Sequence, residues 1–82
     1  MEEIKVHGIY RHFKGDYYLV EGIAKNAADL RLYVVYRALY GEGEQWIRPV
    51  EDFLGKVNHE KYPDVTQENK FELQNILSKR HG

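Results

Sequence analysis

The sequence predicts a small, mainly β barrel of about five strands over residues 1–58, followed by a linker and an appended C-terminal α-helix within residues 59–82. Three observations lead there. Apolar and polar residues alternate with period two through the longest runs. Turn signals at Gly15-Asp16, at Asn26 to Asp29 and at Gly41 to Gly43 separate those runs. Beyond Pro63 the apolar spacing becomes helical.

Taken in order, His7 to Phe13 and Tyr17 to Lys25 flank Gly15-Asp16, a hairpin signal because glycine supplies the positive φ of the tight turns. In the second run Tyr18, Val20, Gly22 and Ala24 share one face, and Gly22 inside a strand marks a bulge or bend. Leu30 to Tyr40 is the strongest strand. Leu30, Leu32, Val34, Tyr36, Ala38 and Tyr40 alternate with a poorer face, and the density of Tyr and Val argues against a helix. Gln45 to Arg48 is a short strand stopped by Pro49, which has no N–H to donate. Val50 to Leu54 is too short for a stable helix and predicts one 3₁₀ turn, with Phe53 closing an open end of the barrel. Gly55-Lys56-Val57 would begin the last strand. Thr66 then caps a helix to Lys79 whose apolar positions are Phe71, Leu73, Ile76 and Leu77, a face that would dock on the barrel or on a second copy.

Length and composition bound the rest. Eighty-two residues make one domain, and so short a chain buries only about 60–65% of the surface its unfolded form exposes. Seven Tyr, three Phe and one Trp are efficient fillers for such a thin core. Residues 1 to 40 hold six basic and five acidic side chains and the remainder six and eight, an imbalance too small to steer a polyanion by net charge. With no cysteine, disulfides, thiolate zinc sites and cysteine nucleophiles are excluded. The amino terminus lacks a signal-peptide layout and no apolar run approaches a membrane span, so the cytoplasm is the expected location.

Catalytic chemistry finds little footing. The lone serine, Ser78, and the lone threonine, Thr66, both fall in the tail, so the barrel offers no hydroxyl nucleophile. His7, His12, His59 and His81 are scattered without metal-ligand spacing. Gly41-Glu42-Gly43-Glu44 lacks the third glycine and the Gly-Lys-Ser/Thr ending of a phosphate loop, and its glutamates would repel phosphate. No catalytic residue, metal site or cofactor is therefore expected.

The residues Gly8 to Gly15, then Tyr18, Val20 and Ala24, then Val34 to Tyr40, then Trp46-Ile47-Arg48-Pro49 and Phe53 resemble a short bacterial family, the domain of unknown function 1653. The resemblance covers about residues 8 to 57 and implies an SH3-like barrel with no established activity. The chain departs from the family pattern at Asn26-Ala27, where a His-Ser turn is usual, and at Asp52, where Met is usual. From about Asn58 onward the tail looks particular to this chain.

Binding is the natural use of a small barrel, because related barrels grip peptides, methylated cations or nucleic-acid strands with aromatic rings. The candidates are Tyr10, Tyr36, Tyr40 and Trp46 with Arg48, set against the alternative that these rings are simply core. If Ile47 points inward, Trp46 and Arg48 point outward together. A protein, peptide or small ligand is the first expectation for a partner, with dimerisation through the tail helix. Single-stranded nucleic acid is the rival, with Arg11, Lys14, Arg31, Arg37 and Arg48 as its basic residues, and a small enzyme or enzyme-associated domain is the lesser alternative.

Overall fold

The computed structural model of the chain describes residues 4–75. Five strands, β1 (Ile9–His12), β2 (Tyr17–Lys25), β3 (Leu32–Ala38), β4 (Gln45–Pro49) and β5 (Phe71–Leu73), form one antiparallel sheet in the order β4-β3-β2-β1-β5. Among the described residues β4 and β5 do not pair, so the sheet is open rather than closed by hydrogen bonds. A single helical turn, α1 (Val50–Phe53), follows β4. Its closing bond runs from the Leu54 N–H to the Val50 carbonyl, an α-type spacing where a 3₁₀ turn was expected.

The period-two runs form the strands they predict, with one internal correction. Val20 lies opposite Tyr36, but Gly22 lies opposite Val35 and Ile23 opposite Val34, so a bulge sits at Glu21-Gly22. An extra residue reverses the alternation. Ile23, not Gly22 or Ala24, therefore continues the face begun by Tyr18 and Val20. The bend curls the sheet so that this face is concave.

Directly opposed residues share a face, and the concave face collects Tyr10, Tyr18, Val20, Val34, Tyr36 and Phe71 across four strands. Phe53 of α1 drops onto it. The Phe53 and Phe71 rings stack at 4.2 Å between centroids and 10° between planes, while Tyr10 and Tyr36 meet Phe53 edge-on at 5.2 and 5.7 Å. Val20 and Val34 are fully enclosed beneath the rings.

The expected helix over residues 66–79 is corrected for its described part. Phe71–Leu73 is a strand, with His12 opposite Phe71 and Tyr10 opposite Leu73. Ile76, Leu77 and the rest of that span lie outside the described residues. The fifth strand was expected at Gly55 to Val57. That segment instead forms an isolated bridge to Glu68–Lys70, with Val57 N–H donating to the Glu68 carbonyl at 2.9 Å and Lys70 N–H to the Gly55 carbonyl at 2.9 Å. The physical reason is that both apolar patterns fit residues 71–77, and strand pairing gives Phe71 a partner ring that a surface helix would not. Buried Gln67 fastens the crossing. Its side-chain oxygen accepts from Arg11 at 2.7 Å and its amide donates to the Arg11 and Asn69 carbonyls at 3.0 and 2.8 Å.

Phe71→Ala should therefore lower stability by about 3–5 kcal/mol, as loss of a buried aromatic does, whereas Ile47→Ala on the exposed face should change it by under about 1 kcal/mol. Urea unfolding measures both. Equal midpoints for Phe71→Ala and the parent would mean that β5 is no part of the core.

Candidate functional site

The register of β3 against β4 decides where the candidate residues point. Tyr36 lies opposite Trp46, Val35 opposite Ile47 and Val34 opposite Arg48. Trp46 and Arg48 therefore share the concave face with Tyr36 and Val34, and Ile47 faces out, the reverse of the arrangement with Ile47 inward. The end of the concave face lies beyond the reach of Phe53, and there the rings stay partly open to solvent.

Tyr36, Tyr40, Trp46 and Arg48 line one cleft of about 260 Å³, joined by Tyr18. Trp46 is 46% exposed and Tyr40 45%, while Tyr36 is only 4% exposed. Tyr36 and Tyr40 are too far apart along the chain direction to touch, and Tyr18 fills the gap. Its ring meets Tyr36 edge-on at 5.3 Å and Tyr40 at 5.6 Å, and its hydroxyl shares a 2.8 Å hydrogen bond with that of Tyr40. Tyr18 was not among the candidates. Its signal was its place two residues before Val20 on the same face, opposite the small Ala38, which leaves room for a ring.

Tyr10, by contrast, does not reach the cleft. It is 5% exposed, packs on Phe53, and its hydroxyl accepts from the Lys5 N–H at 2.9 Å.

Arg48 forms the floor at the opposite end from Tyr40. Its Nε donates to the Tyr36 hydroxyl at 3.1 Å, its Nη1 donates to Asp52 Oδ2 at 2.6 Å, and its guanidinium lies over the Phe71 ring at 5.1 Å. The other Asp52 oxygen accepts from Lys70 Nζ at 2.9 Å. Asp52, at the first turn after β4, thus links the cleft to the segment before β5. The hydrogen bond from Lys70 holds the Asp52 carboxyl below its ordinary value, against partial burial and with help from Arg48. On the other face Glu21 accepts from Arg37 Nε at 2.8 Å and Gln45 Nε2 at 2.6 Å, and Arg37 also donates to the Gly43 carbonyl at 2.7 Å. Those bonds brace the loop after Tyr40, where Gly41 and Gly43 take positive φ of 56° and 69°.

Chemically, the cleft offers ring faces, hydroxyls and part of a guanidinium. Burial pushes the Tyr18 hydroxyl far up, and the bond to Tyr40 adds to the effect, so it remains an O–H at neutral pH rather than a base. Among the described residues no three His, Asp or Glu side chains gather as a metal set would. No described helix is long and apolar enough to cross a membrane.

A small antiparallel β fold with an aromatic cleft at one end of its concave face is the class these features define. The model for the DUF1653 family, described as a protein of unknown function, matches residues 8–73, and the chain belongs to that family. The match runs through β5, so the tail from Asn58 to residue 73 is family structure rather than particular to this chain. The fold is similar to the crystal structure of a DUF1653 protein from Bordetella bronchiseptica, with a TM-score of 0.73 at 24% identity over 98% of this chain and 99% of that one. Comparison with curated proteins gave no match.

A carboxyl whose pKa is lowered by folding adds stability above its unfolded value, ~3.9, and loses it as pH falls through the folded value. Asp52→Asn should accordingly be less stable than the parent at neutral pH, and should lose less stability than the parent between about pH 5 and pH 2. Thermal midpoints across that range test this, and parallel curves would show that Asp52 holds no charge-dependent bond.

Proposed function

We propose that this protein is a non-catalytic binding or accessory module of the cytoplasm, and that Tyr18, Tyr36, Tyr40, Trp46 and Arg48 form its ligand site. The observation that carries the reading is the half-exposed Trp46 beside a cleft walled by three tyrosines. A single exposed apolar residue is ordinary. Several rings converging on one hollow, with a cation at its edge, are better suited to receiving a flat or apolar group than to packing. The occupant enters against the free ring faces of Trp46 and Tyr40. Tyr36 and Tyr18 supply a rigid back wall, because each is already fixed by edge-to-face contacts and a hydroxyl bond. A preformed wall of this kind loses little side-chain freedom on binding.

Support for a binding role over catalysis comes from the lining itself, which among the described residues holds no serine, threonine, histidine or carboxylate. A general acid or base needs a group titrating near the working pH, and the raised Tyr18 hydroxyl moves away from it. Tyr10 is set aside, since its ring belongs to the core.

Trp46→Ala should leave unfolding free energy within about 1 kcal/mol of the parent, as surface changes usually do, and should abolish ligand-induced amide shifts in a screen of peptides and small aromatic compounds. A loss of about 3–5 kcal/mol, the cost of truncating a buried ring, with no ligand found, would return Trp46 to the core and end the proposal.

A further inference from the structure

A larger hollow of about 460 Å³ adjoins the aromatic cleft, and Arg48 lines both. Its other cationic walls are Lys14, Lys56, Lys61 and Lys70, with His12 beside them, and among the described residues no carboxylate lines it. This concentration of positive charge occurs in a chain whose net charge is −1. Asp52 stands behind it with both oxygens engaged by Arg48 and Lys70. Among the described residues Lys14, Lys56 and Lys61 make no ion pair. Lys14 and Lys61 instead hold their ammonium groups over the Tyr62 ring at 5.7 and 5.5 Å. The field reaches His12, whose imidazole is kept below its ordinary value first by burial and then by Arg48, Lys14 and Lys70, with Asp16 opposing.

The opposite end of the cleft has the opposite sign. Tyr40 is shared with a small hollow lined by Glu42 and Glu44. The groove thus runs from two glutamates, across ring faces, to a cluster of lysines.

We propose that this groove binds a nucleotide, with its base against Trp46 and Tyr40 and its phosphate among Lys14, Lys56, Lys61 and Lys70. The proposal rests on the reading of the cleft as a ligand site and adds the class of ligand. Charge complementarity selects an anion, and the lysines select its kind. Ammonium groups act as point charges, and several of them gathered in one hollow suit the roughly two charges and three acceptor oxygens of a phosphate better than the single charge of a carboxylate. Among the described residues the one guanidinium on the groove, Arg48, already serves Asp52 and Tyr36. The anion must also stand off from the ring, because Arg48 occupies the boundary between the hollows. A sugar between base and phosphate provides that offset. A phosphate attached directly to a ring, as in phosphotyrosine, would meet Arg48 first, whose Nε and Nη1 are already engaged by Tyr36 and Asp52. Bases stack on aromatic side chains without regard to sequence, and the acidic end leaves acceptors for a base's amino group.

Trp46 is the single tryptophan, so its fluorescence reports the cleft, while amide shifts of the labelled full chain report the lysine hollow. The probes are adenosine, adenosine monophosphate, an oligoadenylate hexamer, inorganic phosphate and a phosphotyrosine peptide. Adenosine monophosphate should bind about tenfold or more tightly than adenosine, as charge-assisted bonds to phosphate imply. Lys14 and Lys61 are exposed, so the variant Lys14→Ala/Lys61→Ala should keep its fold and its adenosine affinity. It should weaken the monophosphate about tenfold and flatten the hexamer's salt dependence by about one to two phosphate contacts. A hexamer bound more tightly than the monophosphate supports a strand as the source of the nucleotide, and equal binding supports a free nucleotide. Equal affinity for adenosine and its monophosphate, or no effect of the lysine variant, overturns the nucleotide assignment but leaves the cleft standing. A phosphotyrosine peptide bound as tightly as the monophosphate overturns it in favour of a peptide. Shifts from inorganic phosphate with no Trp46 response to any probe overturn the nucleotide assignment, as does silence from all five, while the cleft itself stands or falls with the Trp46→Ala variant.

Discussion

The stack of Phe53 on Phe71 is the contact on which the other features depend. A five-stranded sheet that curls but does not close leaves a concave apolar face, and among the described residues no second layer covers it. Two rings from separate segments fill the space, one from the turn after β4 and one from β5. Phe71 can reach Phe53 only if residues 56–70 cross the open side of the sheet, and the bridge at Lys56 and Asn69 and the buried Gln67 fix that crossing. The same stack sets Arg48, whose guanidinium lies over Phe71 while Asp52, one residue before Phe53, holds its Nη1.

A core built of rings with polar tips cannot be cleanly separated from a site. Each tyrosine on the concave face must carry its hydroxyl to a partner at the rim, because an unpaired buried hydroxyl is costly. Tyr10 finds the Lys5 amide, Tyr36 finds Arg48, and Tyr18 finds Tyr40. The choice between core rings and binding rings therefore has a different answer for each residue. Tyr10 is core throughout, Tyr36 is core in its ring and cleft wall at its hydroxyl end, and Trp46 is half open. Stability and recognition draw on the same aromatic cluster, and the transition between them falls within single side chains.

What was legible in the sequence follows from the range over which each signal acts. β2 and β3 were readable because a strand of seven or nine residues shows its own alternation, and the bulge because Gly22 interrupts it, but the facing of β2 beyond the bulge came only from its pairing with β3. β5 was not readable, since three residues are too few for a period, and Phe71, Leu73, Ile76 and Leu77 suit a helix equally well in isolation. Its strand character comes from β1 and from Phe53, both remote in sequence. The facing of Trp46 and Ile47 was likewise undetermined until β3 supplied the register. Four of the five candidate residues meet at the cleft, because aromatic and guanidinium chemistry is visible residue by residue. Of the residues named for a nucleic-acid reading, Arg31 pairs with Glu51, Arg37 with Glu21 and Arg11 with Gln67, while Lys14 and Arg48 line the groove.

The lysine hollow shows why charge summed over sequence halves conceals a local field. Its cations sit at positions 14, 48, 56, 61 and 70, spread through stretches that also carry the glutamates and aspartates of the outer surface. Only the crossing of residues 56–70 over the sheet sorts the two signs. That crossing is held by the Phe53–Phe71 stack, so Lys56, Lys61 and Lys70 reach the groove through the same packing that completes the core. In such a fold, a weakened core would first release the segment bearing the charges, while the rings of β2, β3 and β4 keep their places through the longer strand pairings. The aromatic half of the groove is thus the more robust half, and the charged half is conditional on the tail being seated.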